Sequence, residues 1–507
     1  MTAAAVARTG DRPAVARPLP AFAVTPVGGV ATALVALLLA TAGRYGYHRD
    51  ELYFRLLARH LAIGYVDQPP WVALVARGSI AVFGDTVFAL RVVPALTAAA
   101  TAVVLALIAR EMGGRAAAQT LAALGALGLF PLVAGHTLLT VGPDLLVWTL
   151  VTLALLRALL RRQRSAWLAA GCVAGLGTYN KHLVVLLLAG VAGGMLLAGP
   201  RAVLRSPWPW AAAGLATLIA APNLAYQLVH GFPQVAMARA LAAHKGPQAR
   251  ELFLPLQPVL LGLPLAGVWP AGWWSLLRRT ELRRARAIAV AYPLMCVLLL
   301  ITAGQFYYTL GLVLSLHAVG SVTVLRWAGQ HGRRHALIWA AAVLNTAIAA
   351  VVALPLLPVR TLAETPIPAI NQVVRDQLGW PTYVAQIAAV YRQMPDQGAA
   401  VLIVGNYGEA GAVDRYGARY ELPRVYSGQN QLYYLGRPPE SATSAVVVTQ
   451  GDSAGPLLRD VFRRCTIVAR LDNGLHVANE EQDTPIRVCT GPRGSWATLW
   501  PRFRALD

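Results

Sequence analysis

The chain has 507 residues, of which 56% are hydrophobic and 13% charged, and its mean hydropathy is +0.52. Together with recurring apolar runs long enough to cross a bilayer, this composition excludes an ordinary soluble protein. The net charge of +21 comes from arginines in short clusters between apolar runs, and no basic domain interleaved with aromatic residues is present, so we predict no nucleic-acid partner.

Residues 1–24 are rich in Ala, Pro and Arg and are predicted to form a disordered cytoplasmic tail. A cleaved signal peptide is the alternative, although the apolar run that follows is long for one. Residues 25–358 are predicted to form a transmembrane domain of about eleven helices. The predicted spans are 25–43, 86–109, 116–135, 145–160, 166–180, 183–199, 210–229, 255–277, 287–304, 306–325 and 336–357.

The distribution of arginine predicts the orientation of this multi-pass protein in the cell membrane. With a cytoplasmic N-terminus, the arginine clusters between spans fall on the cytoplasmic side, as the positive-inside rule requires. The same count places the unusual polar residues on the opposite, extracytoplasmic face. They lie in the segments 44–85, 136–144, 180–182, 230–254 and 304–306.

The densest charge lies in the first outer segment, at residues 47–71, YHRDELYFRLLARHLAIGYVDQPPW. A charged side chain in hydrocarbon costs roughly 3 kcal/mol, so such groups face water, a partner or a site. Asp50 and Glu51 are therefore the first candidates for chemistry. Apolar residues at helical spacing predict an interfacial helix over 50–63, ended by Gly64. The alternative is a helix that only anchors the first span, with a solvated acidic start.

Polar residues and turns become frequent after Pro358, and residues 359–507 are predicted to form an extracytoplasmic α/β domain. Strands are predicted at 399–404, 445–449, 466–471 and 486–488, and helices at 370–378 and 409–420. Cys465 and Cys489 fall in this domain, where they would form either a disulfide or two free thiols.

A site for a lipid-borne anionic substrate would need a carboxylate base, cations for a phosphate and aromatic surface for a sugar. Asp50, Lys181 with Arg49, and the pair Tyr307 and Tyr308 suit these roles. Each residue type also has a simpler interpretation: Asp144 would cap a helix, Lys181 would reach the interface from a span end, and the tyrosines would form an interfacial belt. No metal-ligand motif is present, and a possible divalent cation is left open.

Several strings, in order along nearly the whole chain, resemble the GT-C class membrane glycosyltransferases of the protein O-mannosyltransferase and lipid A aminoarabinose transferase group, family 39 and its bacterial relatives. They are YHRDELYF with GYVDQPP in the first outer segment, Pro143-Asp144, Thr178-Tyr179-Asn180-Lys181, His230-Gly231-Phe232-Pro233, Gln305-Phe306-Tyr307-Tyr308, Gly405 to Ala412, and Tyr426 to Asn430.

This resemblance implies inverting transfer of a sugar from a polyprenyl phosphate to an acceptor hydroxyl of a lipid, glycan or protein. It implies Asp50 as the catalytic base and Glu51 as a residue that positions the acceptor or donor. Arg49, Asp67, Asp144, Lys181, Tyr307 and Tyr308 are the implied substrate-binding residues. The chain departs from the family at Gln68 and Gln305, where relatives often carry basic residues, so phosphate binding would depend more on Lys181, Arg49 or another arginine.

Two other classes of function are alternatives to a glycosyltransferase. A transporter or flippase of a lipid-linked sugar would also gather buried polar groups, but transporters usually place their sites near the bilayer midplane and between repeated halves. No internal repeat is visible in this sequence. The second alternative is a receptor or scaffold in which the outer domain alone carries the function.

Overall fold

The computed structural model describes residues 18–450 and 454–506. Most of the predicted N-terminal tail lies outside these residues. The part of the chain before residue 354 is helical. Its helices are α1 (Val24–Thr41), α2 (Arg49–Leu57), α3 (Trp71–Phe83), α4 (Val87–Glu111), α5 (Ala116–Ala123), α6 (Leu129–His136), α7 (Val141–Leu160), α8 (Arg164–Gly177), α9 (Val184–Leu197), α10 (Pro207–Val229), α11 (Pro233–Leu256), α12 (Val268–Arg278), α13 (Arg286–Thr302), α14 (Leu310–Ala328) and α15 (Gly332–Ala353).

Seven helical segments of the described residues are long and apolar enough to cross a membrane: α1, α4, α7, α10 and α15, together with α13 and α14 when each is extended by the 3-10 turn before it, as Thr280–Thr302 and Phe306–Ala328. The segment 116–136 forms an eighth span if α5 and α6, bent by 63°, cross together. The chain is therefore a polytopic helical membrane protein, as predicted, but the count of eleven spans is not confirmed. Helices α8 and α9 have only 14 residues each. Helix α12 has 11 residues, because Pro258 and Pro264 interrupt the span predicted at 255–277.

Small residues let the membrane helices approach one another closely. Gly272 of α12 and Gly320 of α14 face each other's backbone, and a Cβ on Gly320 would overlap the carbonyl oxygen of Val268. In lipid, where water does not drive apolar association, such close van der Waals contact is a main source of helix packing. The bundle thus forms a rigid frame below the loops that carry the candidate residues.

The chain beyond residue 358 forms the predicted small α/β structure around a five-stranded sheet. Its helices are α16 (Val359–Ala363), α17 (Ile367–Ile370), α18 (Gln372–Arg375), α19 (Trp380–Arg392), α20 (Tyr407–Tyr416), α21 (Ala454–Val461) and α22 (Trp496–Leu499), and its strands are β1 (Ala400–Val404), β2 (Val425–Ser427), β3 (Ser444–Val448), β4 (Phe462–Arg470) and β5 (Pro485–Pro492). The predicted helix at 370–378 is instead two single turns, because Asn371 between them has an extended backbone.

The strand order is β2-β1-β3-β5-β4. Strand β1 runs parallel to both β2 and β3, whereas β5 is antiparallel to β3 and β4. Four strands were predicted, and β2 was missed because it has only three residues. Cys465 and Cys489 are directly opposed in β4 and β5 and form a disulfide, while Cys172 and Cys296 are free.

Helix α2 joins the two parts of the molecule. It ends at Leu57, earlier than predicted, and Arg49 and residues 51–57 are all buried. Its buried face packs against α20, since Gly408 lies against Arg49 and Gly411 against Leu52. The predicted interfacial helix is therefore covered by protein on this side, and its acidic start is not solvated at Glu51, which has no exposed surface.

Candidate active site

Asp50 lies in the first turn of α2, which begins directly after His48. The side chain of His48 accepts a hydrogen bond from the backbone N–H of Asp50 at 3.2 Å, and this cap starts the helix. The Asp50 side chain is 30% exposed. Its Oδ1 accepts a hydrogen bond from the Tyr407 hydroxyl at 2.9 Å. Among the residues that the structure describes, none donates to Oδ2.

Glu51 has a different environment from Asp50, although the two are adjacent. Its oxygens accept two hydrogen bonds from Arg91, at 2.9 and 2.8 Å, and both side chains are buried. Oε2 also accepts from the backbone N–H of His48, and Oε1 from that of Leu138. Arg91 in turn donates to the carbonyl oxygens of Ala42 and Gly46. The Glu51 carboxylate thus fastens α2 to α4 and to two loops.

Arg49 lies on the side of α2 that faces the C-terminal part of the chain. Its guanidinium forms an ion pair with Glu480 and lies 4.7 Å from the centre of the Tyr407 ring. The Nε atom is buried and has no hydrogen-bond partner among the described residues. Arg49 therefore borders Asp50 through Tyr407, but its charge is already paired with a carboxylate.

Asp67 lies in the turn before α3. It accepts a hydrogen bond from the Tyr53 hydroxyl at 3.0 Å, and the same hydroxyl accepts the backbone N–H of Gln431 at 3.3 Å. Burial raises the pKa of Asp67 to about 7. The neighbouring Gln68 is buried, and its Nε2 has no partner among the described residues. A hydrogen-bond donor is therefore available at Gln68.

Lys181, Tyr307 and Tyr308 form one group. The Lys181 ammonium lies 4.7 Å from the centre of the Tyr308 ring and 5.8 Å from that of Tyr307. Within residues 18–450 and 454–506, no carboxylate lies within ion-pairing distance of this ammonium. The two rings meet edge to face, with centres 5.1 Å apart. Gln257 holds the turn that carries them, since it donates to the Phe306 carbonyl oxygen at 2.9 Å.

Asp144 and Tyr307 connect this group to Asp50. Asp144 is buried in the first turn of α7 and accepts a hydrogen bond from the indole of Trp148 at 3.2 Å. It lies close enough to Lys181 for an electrostatic interaction, and Tyr307 lies close enough to interact with both Asp50 and Asp144. The structure thus brings Asp50, Asp144, Lys181 and the two tyrosines to one place, which we call the outer-face site.

Buried amides border the outer-face site next to Lys181. The side chain of Asn180 donates to the Thr140 carbonyl oxygen at 2.8 Å, and its Oδ1 has no partner among the described residues. Asn223 Oδ1 accepts a hydrogen bond from His182 Nε2 at 2.7 Å, and its Nδ2 is likewise unpartnered in the part of the chain described. Unpaired buried amides of this kind suit a polar ligand.

Sequence reasoning missed two features of the site. The first is the Arg91 partner of Glu51, and the second is Tyr407, which comes from beyond residue 358 to reach Asp50. The string from Gly405 to Ala412 was part of the resemblance, but no role was assigned to its tyrosine. Its glycine spacing, with Gly408 and Gly411 on one face of a helix, was the signal for a close helix contact.

The described residues contain no group of three or more His, Cys, Asp or Glu side chains placed to hold a metal ion. We therefore assign no binding site in the described residues to the possible divalent cation. Asp50 and Asp144 are the carboxylates that border the outer-face site.

Residues 67–226 match the family described as dolichyl-phosphate-mannose-protein mannosyltransferase. A comparison with curated proteins finds no match. The structure is similar to ArnT from Cupriavidus metallidurans bound to undecaprenyl phosphate, with a TM-score of 0.60 and 15% identity over 92% of this chain and 98% of ArnT. For ArnT in the apo state the TM-score is 0.57, with 16% identity over 92% of this chain and 97% of that one.

A third similar structure is the arabinofuranosyltransferase AftD from Mycobacteria. The TM-score is 0.53 with 15% identity, and the match covers 94% of this chain but 40% of AftD. Such low identities establish the fold rather than a shared substrate. The predicted resemblance is confirmed at this level: the chain is a multi-pass membrane protein with the GT-C fold of membrane glycosyltransferases.

Proposed function

We propose that the protein is an inverting glycosyltransferase that moves a sugar from a polyprenyl phosphate to an acceptor hydroxyl at the extracytoplasmic face of the membrane. The observation that carries this proposal is the placement of a partly exposed carboxylate, Asp50, and the Lys181 ammonium near the same side chain, Tyr307. These are the base and the phosphate partner that such a displacement needs.

In the proposed step, the acceptor oxygen attacks the anomeric carbon while the bond from that carbon to the phosphate oxygen breaks. The electron pair leaves with the polyprenyl phosphate, and Lys181 stabilises its charge. The acceptor proton passes to Asp50 and then to water. A single in-line displacement inverts the anomeric centre. It needs one carboxylate as a base and none as a nucleophile. Holding two reactants in line accounts for much of the acceleration in such reactions.

The other candidate residues have supporting roles in this proposal. Glu51 positions Asp50 by fixing the start of α2 rather than by touching the acceptor or donor, because both of its oxygens are already bonded within the protein. Asp144 borders the phosphate side, and Tyr307 and Tyr308 line the donor side. Arg49 and Asp67 border the acceptor side, next to Tyr407 and Tyr53 respectively.

The polyprenyl carrier is supported by similarity, since the ArnT structure of the same fold holds undecaprenyl phosphate. The extracytoplasmic orientation is supported by the positive-inside distribution of arginine and by the disulfide between Cys465 and Cys489, a bond that persists in oxidising compartments. The hexosyl or pentosyl nature of the donor is left to the experiment.

The test compares the purified protein with its Asp50→Asn variant. Each is incubated with a panel of undecaprenyl-phosphate hexoses and pentoses and an envelope extract, and free undecaprenyl phosphate is followed by mass spectrometry. We expect release by the parent protein and a rate about 10² to 10⁴ lower in the variant, the usual cost of losing a general base. Asp460→Asn, at a side chain that is 69% exposed, is the matched control and should keep the parent rate.

Equal release by the parent and Asp50→Asn would contradict the assignment of Asp50. An absence of release with every donor, combined with donor movement across vesicles that contain the protein, would favour a flippase. Loss of function on removal of residues 359–507 with Asp50→Asn fully active would instead favour a receptor or scaffold.

A further inference from the structure

Tyr407, at the start of α20, is held against Asp50 from several sides. Its hydroxyl donates to Asp50 Oδ1 at 2.9 Å, and its backbone N–H donates to the Gln429 side chain at 2.7 Å. The Arg49 guanidinium covers one part of the ring at 4.7 Å, and the Tyr53 ring packs against it with centres 4.9 Å apart. A surface tyrosine would not need this many constraints, so the position of the hydroxyl is specified by the fold.

The packing of α20 on α2 sets the distance between Tyr407 and Asp50. A Cβ on Gly408 would lie 2.9 Å from the Cβ of Arg49, and one on Gly411 would lie 2.6 Å from the carbonyl carbon of Leu52. Both values are shorter than ordinary van der Waals contact. The glycines therefore let two helix backbones approach closely, and a side chain at either position would push Tyr407 away from Asp50.

The chemistry of Tyr407 suits a hydrogen-bond donor. Burial, and then the charge of Asp50, raise the pKa of its hydroxyl well above the usual value, so it keeps its proton at neutral pH. Among the described residues, the other charged or titratable groups that face Asp50 or Tyr407 are His48, Arg49, Tyr53, Asp67, Tyr307 and Asp376. A donor fixed on Oδ1 orients the carboxylate.

We infer that Tyr407 is a positioning residue for the base: its hydroxyl holds Asp50 Oδ1 so that Oδ2 is presented to the acceptor hydroxyl. This inference rests on the proposed function for the role of Asp50. It makes the segment beyond residue 358 a part of the active site rather than an appended module, because the donor to the base comes from its helix α20.

The main test is Tyr407→Phe, which keeps the ring and removes only the hydroxyl. We expect kcat to fall about 10- to 100-fold, since a hydrogen bond to a charged group is lost, while KM for the undecaprenyl-phosphate sugar stays within about twofold. The acid limb of the pH dependence of kcat/KM should move up by about one pH unit. The matched control is Tyr391→Phe, which removes another tyrosine hydrogen bond of the same part of the chain, to Gln397, away from the site.

A second measurement does not depend on activity. Carbodiimide with a small amine modifies protonated carboxyl groups, and mass spectrometry of the peptide that contains Asp50 gives the pH at which half of it has reacted. We expect that pH to be higher in Tyr407→Phe than in the parent and in Tyr391→Phe. If the parent releases no polyprenyl phosphate from any donor, the proposed function fails, but this measurement still decides the inference about Tyr407.

The inference would be overturned by an unchanged modification pH in Tyr407→Phe, or by a rate that falls equally at every pH. Gly411→Ala provides an independent variant, because it displaces Tyr407 without altering it and should also lower kcat and raise the modification pH. Gly455→Ala is its control, since a Cβ there would meet only the end of the Arg459 side chain at 3.6 Å.

Discussion

The carboxylate of Glu51 and the guanidinium of Arg91 form a bidentate ion pair, with N–O distances of 2.9 and 2.8 Å, and both side chains are buried. The pair spans 40 residues of sequence and joins α2 to α4. Asp50, the next residue along the chain, is therefore carried on a helix whose first turn is anchored to the membrane bundle. The two adjacent acids have different environments, because Glu51 is buried and Asp50 is 30% exposed.

Glu51→Gln should lower the stability of the folded protein. Removing one charge of a buried pair leaves the other without compensation, and we expect the free energy of unfolding to fall by about 3 kcal/mol. Thermal unfolding in detergent gives the measurement. Asp460→Asn breaks the exposed pair of Asp460 with Arg502 and is the control, with an expected loss of less than about 1 kcal/mol. Equal unfolding temperatures for Glu51→Gln and the parent protein would show that the pair is not an anchor.

Lys181→Gln should weaken catalysis through the phosphate. The ammonium lies over Tyr307 and Tyr308, and in the part of the chain described its carboxylate neighbour is Asp144, which interacts with it without forming a close ion pair. Under the proposed function, the donor phosphate is the closer counter-ion. We expect kcat/KM for the undecaprenyl-phosphate sugar to fall about 10²-fold. Arg334→Gln removes a cation held 4.5 Å from the ring centre of Trp327, at the other side of the bundle by the predicted topology, and should leave kcat/KM unchanged. A similar loss in both variants would argue against a phosphate contact.

Asp67 should make stability depend on pH between about 4 and about 7. Its pKa is raised to about 7 by burial, so in this range the folded state holds a proton that the unfolded state has lost. Stability therefore falls as pH rises through the range. Asp67→Asn cannot ionise, and we expect its unfolding temperature, relative to the parent, to increase from about pH 4 to about 7 and then to level off.

The control for this pH dependence is Asp472→Asn. The backbone N–H of Gly474 and the Gln482 side chain lower the pKa of Asp472, so its contribution is complete above about pH 4 and the difference from the parent should be flat beyond it. A constant difference between Asp67→Asn and the parent over the whole range would contradict the raised pKa of Asp67.

Much of the architecture could be predicted because it depends on local patterns. Apolar runs of membrane length predict spans, and short runs rich in apolar and β-branched residues predict β1, β3, β4 and β5. Where the local pattern was ambiguous, the prediction was less successful. The span predicted at 255–277 is interrupted at Pro258 and Pro264, and of its later part residues 268–278 form an α-helix. A prediction from hydropathy alone does not detect such interruptions.

The sequence by itself determined the membrane class, the GT-C resemblance and the set of unusual polar residues, because hydrophobicity and motif order are properties of the chain taken one segment at a time. Only the tertiary structure decided which partners those residues contact. Glu51 meets Arg91, and Asp50 meets Tyr407 across 357 residues, because helix packing brings distant segments together. No local periodicity encodes such a contact, since it depends on the shapes of both partners and on the glycines that let their backbones approach.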